Sequence, residues 1–278
     1  MKIAASNIGW APGQLDIMLP GLRERGVTGL VIAPTMVWPE APAVNRRQAR
    51  DFHNRVTGAG LAVVGMQSLV YNLEGAALSG DKAGQRVLTE HLKRQADLAG
   101  RLGATSLIFG SPTLRREVNH VDAVAVFSEV AVAAAQNNTT LCIEPLSGYG
   151  NEFITTTVQG VQFVQRVREV VGAPGAHGVG LHLDSAAIAG QPQSSPPLEI
   201  AAAQAAVGIT SFDASAPNLE PPSTHPEVPH RQMGYALRTA GFDGYVSLEM
   251  RPPAGAQDPV AAYLQEVEVV QAAYNQAA

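Results

Sequence analysis

Four acidic residues occupy matching places in the second half of the chain. Thr140-Leu-Cys-Ile-Glu144, Gly178-Val-Gly-Leu-His-Leu-Asp184, Val207-Gly-Ile-Thr-Ser-Phe-Asp213 and Gly244-Tyr-Val-Ser-Leu-Glu249 are short, largely apolar runs that each end on a carboxylate. The acids are 40, 29 and 36 residues apart, about one strand-plus-helix unit each time. Pro145 has no N–H to give to a ladder, so the first of these strands must stop beside Glu144. Side chains alternate along a strand. Cys142 therefore shares a face with Glu144, His182 with Asp184, Ser211 with Asp213 and Ser247 with Glu249. Four carboxylates pointing into one mouth cannot all be ionised without a counter-charge. A divalent cation held by oxygen, Mg²⁺, Mn²⁺ or Ca²⁺, meets that need. Ion pairs with Arg115, Arg116 or Arg251 are the alternative.

Positioning these acids requires parallel strands delivered to one rim, and the rest of the chain supplies them. Strands are predicted at residues 2–6, 29–33, 61–66, 106–109, 140–144, 178–184, 208–213 and 245–249. Apolar residues at helical spacing predict helices over 15–25, 44–58, 82–102, 122–136, 156–171, 197–206, 228–240 and 259–277. Thr155 or Thr156 is the expected N-cap of the fifth helix, and Asn137-Asn138 stops the fourth. Strict alternation of eight strands with eight helices predicts an α/β fold, a single (β/α)8 TIM barrel forming one domain over residues 1–278. The loops that follow strands are rich in Pro and Gly and longer than those that precede them, which places function on the C-terminal rim.

The 278 residues suit one such barrel. Net charge is −5 and charged residues make up 15%, with no Lys/Arg cluster, which excludes a phosphate-neutralising nucleic-acid binder. The start of the chain turns polar too soon for a signal peptide. The apolar stretch 121–135 contains Asp122, Ser128 and Glu129, so a helix packed on a sheet is expected there rather than a membrane span. A cytoplasmic protein is the expectation. Cys142 is the one cysteine, read as a buried structural thiol.

Several short pieces recur in a known order: Ser6-Asn-Ile-Gly-Trp10, Ile32-Ala-Pro-Thr35, Met66-Gln-Ser-Leu69, Phe109-Gly-Ser-Pro112, Ile143-Glu-Pro145 with Asn151-Glu-Phe153, Ala214-Ser215 and Ser247-Leu-Glu-Met-Arg251. In this order, at predicted strand ends, the chain resembles the xylose isomerase-like barrel superfamily. The likeness is greatest to its sugar phosphate isomerase/epimerase members. The resemblance implies a metal-dependent sugar isomerase or epimerase that works by enediolate proton transfer between two glutamates, Glu144 and Glu249. It implies metal ligands at Glu144, Asp184, Asp213 and Glu249, and a divalent ion, Mn²⁺ or Mg²⁺ first, with Co²⁺ or Ca²⁺ as further choices. Three departures stand out. Asp213 occupies a position where the resemblance expects His, Val31 one where an acid is common, and Ser185-Ala-Ala-Ile188 a stretch where relatives often place a polar or His residue.

The substrate implied is a small sugar or sugar derivative, with no nucleic acid, no membrane and a possible homo-oligomer. Candidate substrate-binding residues are Asn7, Gln67, Glu152, His182, His225 and Arg251. His182 is equally readable as a core histidine bonded to Asp184 or the backbone. His230 is expected on the surface at a helix start, and Trp10 and Trp38 either pack or stack on a sugar. No Gly-rich phosphate loop is present. The departures keep two other readings open: a degenerate sugar-binding barrel, and a lyase or dehydratase using the same enediolate chemistry on a keto-sugar derivative.

Overall fold

The computed structural model describes residues 1–39, 44–147, 150, 153–192 and 195–275. Eight parallel strands, β1 (Lys2–Ser6), β2 (Gly29–Ile32), β3 (Ala62–Met66), β4 (Ser106–Phe109), β5 (Thr140–Ile143), β6 (Val179–Asp184), β7 (Ile209–Ala214) and β8 (Tyr245–Leu248), pair in chain order. β8 pairs with β1, which closes the sheet. The helices are α1 (Leu15–Glu24), α2 (Pro34–Val37), α3 (Arg46–Gly58), α4 (Lys82–Leu102), α5 (His120–Gln136), α6 (Thr157–Gly175), α7 (Ser185–Ala189), α8 (Pro196–Val207), α9 (His230–Thr239) and α10 (Pro259–Asn275). The fold is a (β/α)8 TIM barrel. All eight expected helices are present. The single-turn-scale α2 and α7 are additional, too short for an apolar period to reveal them.

Local chemistry sets the helix ends. Thr156, not Thr155, caps α6, in a reciprocal capping box with Gln159. Asp81 caps the start of α4 and Gly103 ends it in the left-handed region. α6 runs past the expected stop at 171 to Gly175, across a non-helical Gly172. Among the described residues no helix is long and apolar enough to cross a membrane.

The core has two layers. A large one lies between sheet and helices. A small one, Ala4, Val31, Val64 and Ile108 with Tyr245 against it, is a separate cluster of alternate strand residues. Val31 is thus a packing residue at 4% exposure. Cys142 is fully buried and burial pushes its thiol up to about 12, so it is an inert core group.

Candidate active site

β5 and β8 end one residue short of the predicted strands, leaving Glu144 and Glu249 just past their ends, yet both stay on the ladder. The Glu144 N–H donates to the Phe109 carbonyl at 3.3 Å and the Glu249 N–H to that of Ala214 at 3.1 Å. The ladder around Glu144 ends there because Pro145 has no N–H. Between β6 and β7 the register slips by one residue, so that Leu181 pairs with Ile209 but His182 with Ser211 and Asp184 with Asp213. The slip keeps side chains on the same face and brings two acids to neighbouring positions. Gly180 lies beneath it, where a Cβ would stand 2.2 Å from the Thr210 hydroxyl.

Each acid is held differently. The Asp184 carboxylate accepts from the Ala187 N–H at 2.7 Å and from the Ser215 hydroxyl, so it caps α7 and ties β6 to the loop after β7. Ser185 and Ser215 reinforce that tie, hydroxyl to backbone, at 2.8 and 2.9 Å. Glu249 accepts from the Gln67 amide at 2.5 Å, and Gln67 in turn accepts from the Ser6 hydroxyl at 2.8 Å. Asp213 is buried, with Oδ2 3.3 Å from His182 Nε2. His182 is bonded through Nδ1 to Ser211 at 2.8 Å. Glu144 packs over Gly110, where a Cβ would come within 1.9 Å of Oε2. Below it Arg115, fully buried, donates to the Glu144 carbonyl at 2.5 Å and to the Phe109 carbonyl, and lies over the Phe109 ring. Arg115 therefore fastens the ends of β4 and β5 through backbone oxygens rather than pairing with an acid.

Crowding and burial set the electrostatics. Burial lifts the Glu144 carboxyl to about 8, with Asp184 and Glu249 adding to the rise and His182 and Arg115 opposing it. Burial, then Asp213 and Asp184, holds Glu249 well above the carboxylate range, with the Gln67 bond working the other way. Burial and Asp184 do the same for Asp213, and burial raises Asp184 against its Ser215 bond. Burial lowers His182. Without a counter-charge, protons stay on this cluster.

The donor chemistry suits a hard divalent ion: four carboxylates, with Asp213 Oδ1 and His182 Nε2 buried and making no hydrogen bond among the described residues beyond the 3.3 Å approach of Nε2 to Asp213 Oδ2. In the arrangement seen, no group of three or more His, Cys, Asp or Glu among the described residues has the spacing of a ligand shell. Loading would therefore require carboxylate rotation.

Other residues named from sequence fall in different places. Gln67 lines the mouth. His182 is fully buried and bonds to neither Asp184 nor backbone; its partner is Ser211. Asn7 spends its amide on the Ala33 backbone, at 2.7 and 3.4 Å, and borders a separate 150 Å³ cavity, so it links the ends of β1 and β2 instead of facing the mouth. His225 is clasped by Glu227 at 2.6 Å and Glu220 at 2.7 Å within its own loop. Arg251 is exposed, with its N–H on the Leu219 carbonyl. Glu152 lies outside the described residues. His230 begins α9 as expected but is half-buried rather than free on the surface: its Nδ1 lies 2.9 Å from the Tyr274 hydroxyl, and burial lowers it to about 4. Trp10 packs edge-on to Tyr263 and Trp38 edge-on to Phe52. Gly110 and Ser215 entered the sequence reading only within the Gly-Ser-Pro and Ala-Ser pieces, and Arg115 only as an ion-pair alternative; what each builds depends on contact across strands.

A family model described as the xylose isomerase-like TIM barrel matches residues 21–272, and the chain belongs to that family. Among solved structures it is similar to an L-ribulose 3-epimerase, at 17% identity and TM-score 0.80, covering 99% of this chain and 95% of that one. It is similar to the D-allulose 3-epimerase from Methylomonas sp. in complex with D-allulose, at 15% identity and TM-score 0.76, covering 99% and 97%. A third is the IOLI protein with a bound zinc atom, at 15% identity and TM-score 0.72, covering 99% and 100%. The fold is one that sugar epimerases use. No curated protein sequence matches the chain.

Proposed function

We propose that this barrel is a divalent-metal-dependent sugar isomerase or epimerase in which Glu144 and Glu249 move a proton beside a carbonyl. One observation carries the reading: the two glutamates are the acids that border both lobes of the mouth, Glu144 with its carboxyl lifted to about 8 and Glu249 with its carboxyl held well above the ordinary carboxylate range. A carboxyl tuned upward by burial is suited to exchange protons with carbon near neutral pH. One glutamate takes the carbon-bound proton, the electron pair moves onto the carbonyl oxygen as an enediolate, and the other returns a proton. Return to the neighbouring carbon isomerises, and return to the opposite face epimerises. Gln67 holds Glu249 in place for this transfer, and Gly110 leaves the room that the Glu144 carboxylate occupies. Glu144, Asp184, Asp213 and Glu249 would hold the ion. When bound, it supplies Lewis-acid polarisation of the carbonyl and compensates the gathered negative charge. The similar L-ribulose 3-epimerase and D-allulose 3-epimerase support a ketose as the substrate type, and a cytoplasmic setting fits the same reading.

A degenerate sugar-binding barrel remains the second reading, favoured by one feature: both Asp184 oxygens are already engaged by Ala187 and Ser215. The test is solvent-deuterium incorporation into D-allulose, L-ribulose and D-fructose with Mn²⁺, followed by NMR. The proposal expects exchange at the carbon next to the carbonyl, lowered roughly 10²–10⁴-fold in Glu144→Gln and in Glu249→Gln. Exchange that survives both substitutions at the wild-type rate would show the assignment to be wrong. Sugar binding with no exchange would favour the degenerate barrel.

A further inference from the structure

The mouth extends as two lobes that are continuous at the glutamates. The first, about 440 Å³, is bounded by the loop after β3, including Leu69, Val70, Tyr71 and Asn72, and by the turn after β4. The second, about 460 Å³, is bounded by Ser147, Ala186, Ala187, Ser215, Asn218 and Leu219. Gly110, Pro112, Glu144 and Glu249 border both. Each lobe alone reaches the roughly 300–1,000 Å³ of a site that encloses a drug-sized ligand, so one sugar ring fills one lobe and leaves the other empty.

Charge narrows the class. Among the described residues that border the two lobes there is no Lys, Arg or His. A phosphate group is normally received by such cations or by a free helix N-terminus. The helix start nearest the second lobe, that of α7, is already capped by Asp184.

The first lobe also carries features of a shaped platform. Tyr71 stands at its edge, a large aromatic ring 64% exposed among the described residues. Ser68 (φ 53°), before it, sits in the left-handed region, a costly conformation for serine that is associated with binding loops, while Asn72 (φ 58°), after it, adopts the same region readily. The second lobe presents the exposed Asn218 amide, and the Ser147 oxygen, whose hydroxyl donates to the Ala187 carbonyl at 3.1 Å, can still accept from a sugar hydroxyl.

We infer that the site takes an uncharged keto-sugar bearing a second unit, a disaccharide or other glycoside. The reacting ring occupies the second lobe, its carbonyl lies at Glu144 and Glu249, and the appended unit lies over Tyr71 in the first lobe. This rests on the proton-transfer reading for what happens at the neck, but not for the two-part fit, which is a matter of binding.

Calorimetry on the Mn²⁺-supplemented protein separates the two. The probes are the keto-disaccharides lactulose and isomaltulose, the monosaccharide D-fructose, and D-fructose 6-phosphate. At least one disaccharide is expected to bind ten times more tightly than D-fructose, and the phosphate ester no more tightly than D-fructose. Tyr71→Ala and Ser111→Trp, which remove the platform and fill the first lobe, should bring the disaccharide-to-fructose affinity ratio close to one. Both sites are accessible to solvent, and an unchanged thermal midpoint checks the fold. The inference is overturned if neither disaccharide exceeds D-fructose, if the phosphate ester binds tightest, or if both variants leave the ratio unchanged. Deuterium exchange into the bound ketose is read in the same samples. Tight disaccharide binding without exchange removes the catalytic reading alone. Exchange into D-fructose with no disaccharide preference removes this inference alone.

Discussion

Glu144→Gln should change how stability depends on pH, and it can be measured without knowing the substrate. The carboxyl rises from an ordinary 4.5 to about 8 on folding, chiefly through burial. Between those values the native protein keeps a proton that the unfolded chain has released, so wild-type stability falls as pH rises through that window. At about 1.36 kcal/mol per pH unit the ceiling is about 5 kcal/mol. Glu144 is only half-buried, and solvent screening reduces the effect to about 2 kcal/mol. Glutamine is neutral throughout and nearly isosteric. In urea titrations with chelator present, wild type and variant should agree near pH 5. The variant should then be the more stable by about 2 kcal/mol at pH 8. Mn²⁺ should reverse the order at pH 8, because a ligand that binds only the native state stabilises it and the ionised wild type binds it better. Parallel curves from pH 5 to 8, or a wild type that gains on the variant as pH rises, would refute the picture of a proton held on Glu144.

Gly110→Ala should act on the same group from outside. Its Cβ would fall 1.9 Å from Glu144 Oε2, which must swing away. Since a misplacement of about 1 Å can cost about 10²-fold, deuterium exchange should drop by that order with little change in thermal midpoint; an unaltered rate would mean that the position of Glu144 is unimportant. Asp213→Ala should weaken Mn²⁺ and Mg²⁺ binding, and Asp213→His should favour Mn²⁺ or Co²⁺ over Ca²⁺. Calorimetry on apo protein giving no change for either variant would remove Asp213 as a ligand. Glu227 and then Glu220 raise the pKa of His225. The clasp is therefore complete below about pH 6.5 and is lost as pH rises through the raised value. Corrected amide-exchange protection of residues 217–229 should be greater at pH 6 than at pH 8.5 in wild type and independent of pH in His225→Ala. Equal protection at both pH values in wild type would dismiss the clasp.

Much of the architecture was legible because it is periodic and local. Eight apolar runs alternating with eight helices leave few topologies other than a closed parallel barrel, and Asn, Asp, Thr and Gly mark the helix ends by bonds within a few residues. The four acids were legible for a similar reason: a carboxylate closing an apolar strand has few other purposes. What each acid does was not legible, since that depends on partners far along the chain. Gln67 and Glu249 are 182 residues apart, Asp184 and Ser215 31. The slip that sets Asp184 beside Asp213 is a property of two paired strands, and no single strand encodes it. Asn7 and His230 read as site or surface residues until folding supplied the Ala33 backbone and the Tyr274 hydroxyl. Apolar period and strand-end chemistry are written along the chain, and so the sequence alone determined the barrel and the acids on its rim. Hydrogen-bond partners, desolvation and the division of the mouth into two lobes arise only when distant segments meet, and these the tertiary structure decided.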